Sequence, residues 1–70
     1  MEKFSERVRE LRKERGLKQA EIADICGVKV RSYQRYEHGD GYPEVPGLVF
    51  LADYFNVSLD YLMGRKDERM

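Results

Sequence analysis

Residues 19–38, QAEIADICGVKVRSYQRYEH, constrain the fold more than any other stretch of this 70-residue chain. Apolar Ile22, Cys26, Val28, Tyr33 and Tyr36 recur at helical spacing, and Ala23 is small where two helices must touch. Gly27 divides the stretch, at a point where the first helix must stop in a positive-φ conformation that glycine adopts at little cost. Two short helices joined this tightly must cross. The second carries Lys29, Arg31, Gln34 and Arg35 on the side its apolar residues leave open.

The flanking sequence supplies more helices and no strand pattern. Phe4, Val8 and Leu11 form a stripe over a first helix, 2–15, with Arg12, Lys13 and Arg15 in the last turn, where the helix dipole favours cations. The row Glu2, Glu6, Glu10 and Glu14 reads as a solvated face, offset by the i, i+3 pairs Lys3–Glu6, Glu6–Arg9, Arg7–Glu10 and Glu10–Lys13. The crossed pair covers 19–26 and 30–38, and HGDGYP is a loop. Leu48, Leu51, Ala52 and Phe55 predict a fourth helix over 45–55, although Gly47 lowers propensity at its start. Ser58 is placed to cap a fifth, Leu59–Met63, ended by Gly64. The expectation is an all-α, compact five-helix bundle in one domain, 1–64, followed by a frayed tail, 65–70.

Composition narrows the function. No apolar run approaches the roughly 20 residues of a membrane span. The charged start MEKFSERVRE lacks a signal-peptide core, so a cytoplasmic setting is expected. Cys26 is the one cysteine and His38 the one histidine, so neither a disulfide, a metal site nor a catalytic constellation can be assembled. No enzyme activity, cofactor, metal or small-molecule ligand is expected. Cys26 reads as core and His38 as a helix C-terminal residue. The net charge is zero, but residues 1–37 hold ten Lys/Arg against seven Asp/Glu, and residues 38–70 hold three against six. A crossed helix pair whose second member is basic is the arrangement that places a helix in the DNA major groove.

The runs LRKERGLKQAEIADICGV, RYEHG and LADYFNVSLDYLMG, in that order and spacing, resemble the Cro/repressor-type (XRE) helix-turn-helix domains of phage and bacterial regulators. The resemblance spans Phe4 to Gly64 and implies a lambda-repressor-like fold that binds double-stranded DNA. It implies base-edge contacts from Val30, Arg31, Gln34 and Arg35, and a phosphate contact from Gln19; Lys18, Lys29 and Tyr42, which depart from the family pattern, are further candidates for phosphate by their own chemistry. It further implies a buried ion pair between Arg12 and Glu37, and homodimer contacts near Asn56, Val57 and Leu59. The expected function is a repressor that binds an inverted repeat as a dimer.

Three departures from that pattern stand out. Lys18 and Lys29 occupy positions where Ser or Thr usually caps the two helices of the motif. The loop HGDGYP brings Asp40 and no lysine, which leaves the glycine amides or Tyr42 to meet a backbone. Phe50 and Tyr54, four residues apart, form an aromatic pair that either reaches a partner or packs against Phe4 or the chain end. With zero net charge, that pair also fits an antitoxin- or adaptor-like interaction module that keeps the fold without reading an operator.

Overall fold

The computed structural model describes residues 2–70, the Glu2 side chain excepted; Met1 and the Glu2 end of the acidic row lie outside the described residues. Five helices follow in chain order: α1 (Glu2–Glu14), α2 (Gln19–Cys26), α3 (Val30–His38), α4 (Val45–Phe55) and α5 (Leu59–Leu62). α1 packs on α3 and α5, α2 on α3 and α4, and α4 on α5. The stripe residues Phe4, Val8 and Leu11 meet Ile22, Ala23, Tyr33, Leu51, Ala52, Phe55 and Leu62 in one core. Cys26, Val28, Tyr36 and Leu48 are half-buried against it.

Helix ends lie within a residue of those the sequence predicts. α2 stops where Gly27, at φ 72°, turns the chain left-handed and its N–H closes on Ala23 and Asp24. Asn56 does the same after α4, at φ 57°. Gly47 now has a reason to stand in the first turn of α4. A Cβ built there would lie 2.7 Å from the Pro43 Cβ, so the loop and the helix approach this closely only across glycine. Ser58 accepts from the Tyr61 N–H at 3.0 Å and starts α5 as expected.

Two expectations change. None of the i, i+3 pairs within α1 closes; Lys3 and Arg7 reach Asp67, and Arg9 the Glu37 carbonyl, instead. Residues 65–70 form no helix, yet they are tied down rather than frayed. Arg7 donates to the Tyr61 and Lys66 carbonyls and to Asp67, and its guanidinium lies 4.1 Å from the Tyr61 ring centroid. Arg69 pairs with both Glu14 oxygens at 2.9 and 2.6 Å, and its carbonyl accepts from the Ser58 N–H.

Candidate nucleic-acid interface

The crossed pair α2–α3 is held from beneath by a carboxylate. Glu37 is only 4% exposed and accepts from Arg12 Nε at 2.6 Å and Nη2 at 3.1 Å, a two-pronged pair of the kind arginine geometry favours. Arg12 Nη1 donates to the Leu17 carbonyl, so the guanidinium is bonded on all three nitrogens. Burial alone would raise the Glu37 carboxyl, but Arg12, with Tyr33 and Gln19, outweighs it and holds the group below the usual carboxylate range. The Tyr33 hydroxyl faces the cluster from the core without a hydrogen bond of normal geometry, and burial, then Glu37, push its phenol upward. The predicted Arg12–Glu37 pair is therefore present, and it joins α1 to α3.

Gln19, at the start of α2, extends this network to the surface. Its Nε2 donates to Glu37 Oε1 at 3.0 Å, and its Oε1 accepts from Gln34 Nε2 at 3.2 Å. The Gln19 side chain thus turns toward α3 instead of standing free. Gln34 keeps its carbonyl oxygen and one N–H, the two groups a base edge would need.

The cap positions carry lysines in extended conformation with no side-chain cap bond. At α2 the Glu21 carboxylate reaches back and accepts from the Lys18 N–H at 2.8 Å, half of a capping box. α3 has no such help. Lys18, Lys29 and Arg31 are exposed, and none of their ammonium or guanidinium groups meets an acid among the described residues. Val30 is 41% exposed beside them.

Arg35 is placed differently from Arg31. Its Nη2 donates to the Asp40 carbonyl at 3.2 Å, and its guanidinium lies along Gly41. The loop bends back because Gly39, at φ 82°, ends α3; the N–H groups of Gly39 and Asp40 close on carbonyls of the last turn. Tyr42 packs edge-on against Phe4, with ring centroids 5.9 Å apart.

On α4, Phe50 stays 41% exposed and stacks on Tyr54 at 6.2 Å, while the rings that meet Phe4 are those of Tyr36 and Tyr42. Arg15 lies over Tyr54, 5.1 Å from its centroid. Of the expected dimer residues, Asn56 and Leu59 are exposed but Val57, at 7%, belongs to the core. Val57 is drawn in because the left-handed turn at Asn56 folds the chain inward, so that the Val57 N–H closes on Ala52. Cys26 is half-buried, and burial pushes its thiol up, which suppresses the thiolate a redox role would need. No helix of the described residues is long and apolar enough to cross a membrane.

A family model described as helix-turn-helix matches residues 8–62. The chain belongs to the Cro/repressor-type helix-turn-helix family. Among its relatives in that family, the cryptic phage CTXphi transcriptional repressor RstR of Vibrio cholerae serotype O1 is 41% identical over 63 residues, covering 90% of this chain and 56% of that protein. The HTH-type transcriptional regulator AnsR of Bacillus subtilis is 34% identical over 64 residues, covering 91% and 55%. The crystal structure of a transcriptional regulator from Listeria innocua superposes with a TM-score of 0.83 at 39% identity, over 87% of this chain and 57% of that one. The chain thus spans a little over half the length of the relatives it matches.

Proposed function

We propose that this chain is the DNA-binding part of a transcriptional regulator, a repressor that reads an inverted-repeat operator as a dimer with α3 in the major groove. The observation that carries this reading is the α2–α3 surface itself. Lys18, Lys29 and Arg31 have no acidic partner there, although the chain as a whole is neutral and Lys3, Arg7, Arg12, Arg65 and Arg69 are each closed in an ion pair. Arg31 stands at the outer side of α3, where its planar fork suits the O6/N7 edge of guanine. Gln34, steadied by Gln19, offers the paired donor and acceptor that suit adenine. Val30 offers an apolar contact to a thymine methyl. Phosphate would meet Lys18, Lys29 and the free amides at the start of α2.

Half-sites read by such pairs lie about 34 Å apart or a multiple of it. The molecule measures 28 × 23 × 19 Å, so copies one turn apart on one face of a duplex become neighbours. Asn56, Leu59 and the Phe50–Tyr54 stack supply the exposed surface for their contact.

Selection from a randomised duplex pool, followed by sequencing, tests the reading. Wild-type protein is expected to recover an inverted repeat, and Arg31→Ala to lose preference at one base pair per half-site, worth about 1–3 kcal/mol. If wild-type protein recovers no motif at low salt, where electrostatic binding is strongest, operator reading is refuted. The Phe50–Tyr54 surface would then mark an interaction module instead.

A further inference from the structure

A shallow cavity of about 210 Å³ lies between α3 and the loop that follows it, lined by Ser32, Arg35, Tyr36, Gly41 and Tyr42. It holds a cation that is anchored without being neutralised. Arg35 bonds a backbone carbonyl, that of Asp40, and no carboxylate, so its full charge remains while its direction is set. Swinging it to the floor of the groove would break that bond and lift the guanidinium from Gly41. The cavity's other donors suit an anion. The Ser32 hydroxyl has no partner among the described residues, and the Gly41 amide is left over once Gly39 and Asp40 have closed the end of α3. No other cation is present in residues 38–44.

We propose that Arg35, with Ser32 and Gly41, forms the seat for a phosphate of the DNA backbone at the groove edge, and does not read a base. This rests on the DNA-binding reading above. It divides the two exposed arginines of α3: Arg31 discriminates sequence, whereas Arg35 sets register and strength, because a phosphate contact positions the protein without carrying sequence information.

The test compares full-length wild type, Arg35→Ala and Arg35→Lys on the selected operator and on an unrelated duplex, across a range of salt concentrations. Arg35→Ala should weaken both complexes by the same factor. It should also make the slope of log K against log salt shallower by about 0.9 per bound protein molecule, and leave the selected base preferences unchanged. Arg35→Lys should restore the slope, since a point charge suffices for phosphate. A lost base preference in Arg35→Ala, or an unaltered slope, overturns the assignment. So does displacement of DNA by inorganic phosphate, at matched ionic strength, from wild type but not from Arg35→Ala, which would make the cavity a small-anion site. If wild-type protein binds neither duplex, the DNA reading falls first and this assignment with it, a result distinct from either of the others.

Discussion

Glu37 stands on the helix proposed to enter the groove, where a free carboxylate would repel phosphate. Its burial and its two bonds from Arg12 remove that charge from the surface and lock α3 to α1. Glu37→Gln would leave the Arg12 guanidinium without its counter-charge, a loss of roughly 3–5 kcal/mol at neutral pH. In a domain of this size that is on the order of 12 °C or more in Tm. The sign with pH follows from the depressed carboxyl. Its contribution is present above the unfolded-state value of about 4.3 and disappears as pH falls through the lower folded-state value. The gap in Tm between wild type and Glu37→Gln should therefore be flat from neutral pH down to about pH 5 and close below pH 4. Thermal melts across that range check it. A gap under about 1 kcal/mol at neutral pH would place the pair with ordinary surface pairs.

At the scale of the element, α2 and α3 differ in how their starts are satisfied. Glu21 bonds the Lys18 N–H from inside α2, while the first turn of α3 has only the extended Lys29 before it. A threonine in that same conformation would accept from an N–H of the first turn, adding about 0.5–2 kcal/mol. Lys29→Thr should accordingly raise Tm by several degrees and, on the proposed DNA reading, weaken binding to all duplexes alike, because it removes a cation proposed to meet phosphate. Melting and titration of one preparation decide it; tighter binding together with a higher Tm would show that Lys29 serves neither end. The elements themselves were legible because their stops are local. Gly27, Gly39 and Asn56 each end a helix in the left-handed region, and the apolar spacing of Phe4, Val8 and Leu11 fixes the buried face of α1. The position of Arg35 was not legible. Whether an exposed arginine reaches outward or folds onto Asp40 depends on how the glycine loop returns across α3, and helical spacing says nothing about that return.

Across the whole molecule, zero net charge conceals a partition. Lys3 and Arg7 meet Asp67, Arg65 meets Asp60, and Arg69 meets Glu14, so the cations around the tail, Lys66 apart, are paired with acids close at hand. Those at the starts of α2 and α3 are not. Charge counts by sequence half pointed toward this arrangement without revealing it, because Arg7–Asp67 and Glu14–Arg69 join residues 60 and 55 apart in the chain. The run RKDERM read as a solvated tail for the same reason. If the partition holds, the tail stabilises the fold and stands apart from DNA recognition. Deleting residues 65–70 would strip Arg7 of Lys66 and Asp67, free Glu14, and remove the carbonyl that takes the Ser58 N–H. Tm should fall by several degrees. Operator affinity below the melting range should stay at the wild-type value, since a change of one net charge beyond the Debye length of about 8 Å is screened at physiological salt. A drop in affinity as large as that of Arg31→Ala, with the fold intact by circular dichroism, would instead put the tail on the DNA-facing surface.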